Sequence, residues 1–295
     1  MTRARPAGAP PSRSAPARRC GRRRQAALLF TQDDFLWYTL KPSRDAPLNF
    51  DAGDTTVEAV VSRYKGRVAG WIVVNEAISN EGKRGLRTDV PWYQTIGREY
   101  VAESFHLARA NDPDATLVLN EFGFETVNQY GDKPGPRRRA ALQVIDELQK
   151  QNTPLDAFGI QAHLLADHFD ERFNRKAYRR FLAELADRGL DILITEMDVL
   201  DDGLPKNRAV RDRAVAEIYK RYLDLTLREP AVKSVMTFGL SDAYTWLQED
   251  YPREDGAHRH ALPYNEKMRR TRVWNALHDS LRRARNRKQL WKLPR

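Results

Sequence analysis

The chain has 295 residues, of which 41% are apolar and 31% charged, with a formal net charge of +10. That length suits one α/β barrel or two smaller domains, and no apolar run approaches the roughly 20 residues of a membrane span. The charge is confined to the ends: residues 1–24 hold eight Arg and no acid, residues 281–295 hold seven Lys or Arg and no acid, and residues 25–280 carry a net −5. Nucleic-acid binding would therefore have only two tails to rest on and is not expected of the body.

Residues 1–25 read as a disordered basic leader, rich in Arg, Pro, Ala and Ser. Cys20, the only cysteine, lies within it, so neither an intrachain disulfide nor a thiolate metal cluster is available. The basic run Arg18–Arg24 precedes a short apolar stretch, Ala26–Phe30. A secretory signal has roughly 7–15 apolar residues at that point, so no complete signal peptide is read here. One domain is expected over 26–280, followed by a basic tail, 281–295.

Phe30–Pro42 reads as a strand. Val57, Val60 and Val61 set a helix over Thr55–Tyr64, closed by Gly66. Val68–Asn75 is an apolar strand that stops abruptly at Asn75-Glu76. A single helix is expected from Pro91 to Ala110, then a strand over Ala115–Asn120 and a helix over Arg137–Gln151. One strand is expected over Leu155–His163, a helix over Arg175–Arg188, and a second apolar strand ending in carboxylates, Asp191–Val199. A helix over Pro205–Arg228, a strand over Val232–Leu240 and a helix over Lys267–Arg283 complete the pattern. Strands alternating with amphipathic helices imply a parallel sheet covered by helices. No Gly-rich phosphate loop follows any strand, so a TIM (β/α)8-type barrel fits better than a nucleotide-binding sheet.

In such a barrel the strand C-termini converge on one face, which carries the chemistry. The polar residues placed there are Asn75 and Glu76, Asn120 and Glu121, Gln161 and His163, Glu196 and Asp198, with Asp242 and Trp246 beyond the last strand. Two glutamates with amides, an imidazole and tryptophan are the parts of a glycosidase: one carboxylic acid protonates the leaving oxygen, and the other carboxylate attacks the sugar or activates water. Gln161 and His163 also have a plainer reading as satisfied buried polar groups, and Trp246 as core. No His pair has helical HExxH spacing, and His258 and His260 lie in a charged loop, so no metal and no cofactor are expected. No Gly-Xaa-Ser-Xaa-Gly elbow is present either.

Four motifs stand in order: WIVVNEA at Trp71–Ala77, GIQAH at Gly159–His163, TEMD at Thr195–Asp198 and FGLSDAYTW at Phe238–Trp246. They resemble the W-D-V-V-N-E-A, G-x-Q-x-H, T-E-L-D and W-G-x-x-D-x-x-S-W motifs of glycoside hydrolase family 10, of endo-1,4-β-xylanase type. Asn120-Glu121-Phe122 stands where that family has N-D-Y. The resemblance implies a retaining double displacement on β-1,4-xylosidic bonds of xylan or xylo-oligosaccharides, with Glu76 as general acid/base and Glu196 as nucleophile, their carboxyls roughly 5–5.5 Å apart. It further implies that Asn75 binds the sugar 2-hydroxyl, and that His163 bonds Glu196 and is oriented by Asp198. Gln161, Trp246 and Asn120 would line the sugar site, with Phe238 in the place of the family's Trp. A monomer that is secreted or periplasmic is the corresponding expectation.

The N-terminal third departs from the family. Thr31–Trp37, TQDDFLW, stands where T-E-N-x-M-K-W is usual, with Gln32-Asp33 for Glu-Asn and Leu36 for the sugar-binding Lys. The third-strand motif G-H-T-L-V-W-H is absent, about one βα unit, and the first strand is not recognisable. The barrel is therefore expected to be incomplete, and the alternative function is an impaired or inactive family member.

Overall fold

A continuous apolar strand is stable only when both faces are covered, so runs such as Trp71–Val74 call for a parallel sheet packed within helices. The computed structural model describes residues 26–28, 51–79 and 85–286 and has that architecture. Its strands are β1 (Ala26–Leu28), β2 (Gly70–Asn75), β3 (Thr116–Glu121), β4 (Ala157–Ile160), β5 (His163–Leu165), β6 (Asp191–Leu200) and β7 (Val232–Thr237). All pairings are parallel. The path runs β1-β2-β3-β4-β6, with β5 on the upper half of β6 and β7 also on β6. Among the described residues β7 and β1 do not pair, so the barrel is open there. The strand expected over 30–42 lies outside the described residues.

Helices α1 (Asp51–Tyr64), α2 (Pro91–Ile96), α3 (Tyr100–Asn111), α4 (Pro134–Lys150), α5 (Phe169–Arg172), α6 (Arg175–Ala186), α7 (Arg208–Thr226), α8 (Trp246–Asp250) and α9 (Arg272–Asn286) follow the strands. Val57 and Val61 of α1 are buried, as their spacing predicts. The single helix expected over Pro91–Ala110 is two. Gly97 takes φ 87° and its N–H donates to the Tyr93 carbonyl, which turns the chain before α3 begins. α4 starts three residues earlier than expected because Pro134 occupies its first turn, where the missing N–H does no harm. Asn174 and Asn207 cap α6 and α7, accepting from the N–H of Ala177 and Val210. α9 runs on to Asn286, past the expected start of the tail. Arg283 and Ser280 both donate to Asp224 of α7, and Ala284 is buried.

Two register shifts decide what faces the barrel mouth. Ile72 pairs Val118 and Asn75 pairs Asn120, so β2 holds one residue more than β3 between those positions. Ile72 and Asn75 are three residues apart and would otherwise lie on opposite faces. β6 likewise holds one residue more than β7 between the Ile194–Val235 and Met197–Thr237 pairs. Thr195 can therefore reach Asn120 from below while Glu196 and Asp198 face the mouth. The strand expected over Leu155–His163 breaks into β4 and β5 at Ala162, whose φ of 62° is left-handed.

Beneath the mouth, Ile72, Val118 and Ala157, with Leu193 against them, fill the concave side. Gly159 leaves the space above them: a Cβ there would meet Asn120 Oδ1 at 2.1 Å and Thr195 Cγ2 at 3.1 Å. Gly159→Ala is expected to destabilise the fold by about 1–3 kcal/mol through overpacking. The check is a lower urea midpoint at unchanged slope; an unaltered midpoint would show slack that this packing does not provide.

Candidate active site

Asn75 and Glu76 leave the end of β2, Asn120 the end of β3, Gln161 the β4–β5 break, His163 the start of β5, and Glu196 and Asp198 the middle of β6. Asn120 Nδ2 donates to Asn75 Oδ1 at 2.8 Å and to Glu196 Oε1 at 2.6 Å. Thr195 Oγ1 donates to Asn120 Oδ1 at 2.7 Å. Gln161 Nε2 donates to Asn75 Oδ1 at 3.2 Å and to Glu76 Oε1 at 2.9 Å. The two glutamates are thus joined by an unbroken line of carboxamides, Glu76–Gln161–Asn75–Asn120–Glu196.

Glu76 is held in an unusual backbone state. Its φ of 56° is left-handed, a conformation that costs a non-glycine residue about 1–2 kcal/mol. Its N–H donates to the Asn120 carbonyl at 2.9 Å, which pins the turn to β3. Burial raises the Glu76 carboxyl above its ordinary range; the Gln161 hydrogen bond opposes this and the negative charge of Glu196 reinforces it. The protonated acid is thereby favoured.

Behind Glu196, His163 Nε2 lies 3.5 Å from Glu196 Oε2, and Nδ1 lies 2.8 Å from Asp198 Oδ1. Burial alone would lower the imidazole. The charge and hydrogen bond of Asp198, then those of Glu196, outweigh it and push His163 up to about 10. Trp246 Nε1 donates to Asp198 Oδ2 at 2.7 Å, and its ring sits 5.1 Å from the imidazole. Asp198 is therefore shared between His163 and Trp246. Phe238 is 41% exposed and stands edge-on to His163 at 5.5 Å.

The residues expected from sequence are brought together, but not all in the expected relation. Asn120 is fully buried, and both ends of its amide are occupied by Asn75, Glu196 and Thr195. It braces the site from below rather than facing a sugar. Asn75 Oδ1 accepts from two amides, while its Nδ2 has no hydrogen-bond acceptor among the described residues. Thr195 and Arg137 were not expected as site residues; Glu121 was expected at the mouth and lies fully buried against Arg137. Arg137 and Glu121 form a fully buried ion pair at 3.0 Å, and Glu121 Oε1 accepts the Ile78 N–H at 2.6 Å, fixing the segment after Glu76. One signal was available: Arg137 lies on the α4 stripe that also carries Ala141, Val144, Ile145 and Leu148. The described residues also place His258, His260 and Glu266 together as potential metal ligands, away from this line of amides.

Residues 49–280 match the family model Glycosyl hydrolase family 10. Endo-1,4-beta-xylanase B of Thermotoga neapolitana is 34% identical over 194 residues, covering 65% of this chain and 51% of the relative. Endo-1,4-beta-xylanase 5 of Pyricularia oryzae is 32% identical over 209 residues, covering 68% of this chain and 47% of the relative. The chain thus spans about half the length of these curated relatives. Xylanase 10B from Thermotoga petrophila RKU-1, solved in complex with xylobiose, superposes with a TM-score of 0.73 at 28% identity over 88% of this chain and 73% of that one. Native xylanase 10B from Thermotoga maritima superposes equally well, with a TM-score of 0.73 at 28% identity, 89% and 75% covered. With the family pattern matched across the described barrel and the fold shared with solved xylanases, this chain belongs to glycosyl hydrolase family 10.

Proposed function

We propose that the chain is an endo-acting retaining glycoside hydrolase that cleaves β-1,4-xylosidic bonds in xylan or xylo-oligosaccharides. The observation that carries this is the pairing of unlike glutamates across one line of amides: Glu76, biased toward its protonated form, and Glu196, faced by the His163 imidazolium. A general acid needs the first, and a nucleophilic carboxylate is served by a cation at its side.

In the first step the Glu196 carboxylate attacks the anomeric carbon. The glycosidic C–O bond breaks, and the Glu76 proton passes to the departing oxygen. In the second step Glu76, now ionised, takes a proton from water, which attacks the anomeric carbon and releases Glu196. Gln161 and Asn120 hold the two carboxyls while charge moves between them, and fixed dipoles need no reorganisation. Asn75 Nδ2 is the donor left for the sugar 2-hydroxyl, while Phe238 and Trp246 offer aromatic faces beside it. Polymeric xylan does not cross membranes, so action on the polymer places the chain outside the cytoplasm. No described helix is long and apolar enough to cross a membrane.

A second reading, an impaired family member, is favoured by the missing third-strand motif and by the edge that the described residues leave unpaired between β7 and β1. Imprecise positioning lowers rates by orders of magnitude even when every acid and base is present. Glu196→Gln is expected to lose on the order of 10⁴-fold or more in reducing-sugar release from xylan. Wild type and variant equally inert would support the second reading, and equal activity would remove Glu196 from the reaction. Glu76→Gln is expected to lose about 10²–10⁴-fold on xylan but far less on an aryl xylobioside, whose leaving group needs no proton. The alkaline limb of the pH profile should disappear in the same variant.

His163 gives a separate check. Its folded pKa, about 10, lies above the ordinary 6.5. Its contribution to stability is therefore complete below about pH 6.5 and is lost as pH rises through about 10. The imidazole resonances of His163 are expected to titrate near the upper value, and Asp198→Asn to bring the midpoint down sharply. A wild-type midpoint near 6.5 would contradict the ion pair.

A further inference from the structure

The segment His258–Glu266, between α8 and α9, carries a cluster that the glycosidase chemistry does not use. Asp242, at the exit of β7, is buried and fully engaged. Its Oδ1 accepts the N–H groups of Ala261 at 3.0 Å and Leu262 at 2.9 Å, and its Oδ2 faces His260 Nδ1 at 3.2 Å. A carboxylate on Nδ1 places the proton there and leaves the Nε2 lone pair directed away from it. His260 is itself buried. Its Nε2 points to Glu266 Oε1 at 3.6 Å, and His258 Nδ1 approaches the same oxygen at 3.9 Å. Both separations exceed a hydrogen bond. Glu266 Oε2 is turned to Arg208 at 3.5 Å, which leaves Oε1 to the imidazoles.

We propose that His258, His260 and Glu266 form a binding site for a divalent first-row cation, with Zn²⁺ the best fit. The three ligand atoms lie within 4.8 Å of one another. Ligands at roughly 2.0–2.2 Å from a tetrahedral zinc ion are about 3.3 Å apart, so the His260–Glu266 pair at 3.6 Å is close to ligand spacing and the exposed His258 side chain moves in by about 1 Å to close the site. Two imidazoles and one carboxylate suit zinc and disfavour Ca²⁺ or Mg²⁺, which prefer all-oxygen shells. His258 is the adaptable ligand: its side chain is 43% exposed, and Nδ1 gives up its 3.0 Å contact with the Arg259 carbonyl on binding. Asp242 supplies the second-layer carboxylate that fixes His260.

The ion would act as a latch for the loop after β7. Tyr264 N–H donates to the Leu240 carbonyl, Asp242 N–H to the Tyr264 carbonyl, and Ser241 Oγ to the Asn265 carbonyl. The ligand-bearing segment is thus laced to the loop that delivers Trp246 onto Asp198. Clamping one strap of that lacing restrains the other.

The test uses the full, untagged chain with Cys20→Ser, stripped with EDTA and titrated with ZnCl₂, with bound metal measured by equilibrium dialysis. One zinc per chain is expected, with the unfolding midpoint raised by about 5–10 °C at free zinc 100-fold above Kd. His258→Ala should fold with the wild-type midpoint in EDTA, because the side chain is exposed, yet bind zinc at least 10-fold more weakly. Glu266→Gln should be weakened likewise, while Glu196→Gln, outside the site, should bind as wild type does. Slower amide hydrogen exchange at residues 240–246 with zinc would support the latch, and unchanged exchange would overturn that part. No zinc retained, equal retention in the His258→Ala/Glu266→Gln double variant, or an equal midpoint shift with CaCl₂ would each overturn the site.

Discussion

Asn120 Nδ2 is divided between Asn75 Oδ1 and Glu196 Oε1, and the spacing of the whole site depends on that division. An amide buried at this depth must have its donors and acceptor matched, since an unmatched group costs about 1–3 kcal/mol. Asn120 satisfies its acceptor with Thr195 and its donors with the ends of two other strands. Moving β2, β3 or β6 along its axis would break one of these bonds. The same bonds that satisfy a buried amide therefore set the heights at which Glu76 and Glu196 stand.

The backbone adapts to that demand rather than the reverse. Regular strands would turn Ile72 and Asn75 to opposite faces; one additional residue in β2 turns both inward. A comparable irregularity in β6 admits Thr195 below and Glu196 and Asp198 above. Left-handed residues follow at Glu76 and Ala162, and Gly159 leaves the volume that Asn120 fills. The β2 shift, the upper β6 shift and the left-handed residues Glu76 and Ala162 lie at the C-terminal ends of the strands, where bulges re-aim side chains. Lower in the barrel, Ile72, Val118 and Ala157 pack in regular register.

Charge is arranged in a similar sequence. Asp198 holds His163 as a cation, His163 faces Glu196, and Glu196 in turn raises Glu76. Trp246 ties the second oxygen of Asp198, so the loop after β7 governs the far end of this series. That loop is laced to the segment carrying His258, His260 and Glu266, which connects this cluster to the Asp198–His163–Glu196 series.

Much of this was legible in the chain. Apolar runs ending in carboxylates identified β2 and β6, helical periodicity identified α1, α4, α6 and α9, and the motifs at Trp71–Ala77, Gly159–His163, Thr195–Asp198 and Phe238–Trp246 named the residues at the mouth. Local pattern records which side chains are apolar and which polar, and a β/α repeat fixes at which end the polar ones gather. It does not record which polar group satisfies which. That Asn120 braces the site from below, that Arg137 pairs with Glu121, and that His260 is oriented by Asp242, 18 positions earlier in the chain, were decided by the tertiary structure. Strand register and the closing of buried hydrogen bonds act between segments far apart in sequence, and neither leaves a periodic trace along the chain.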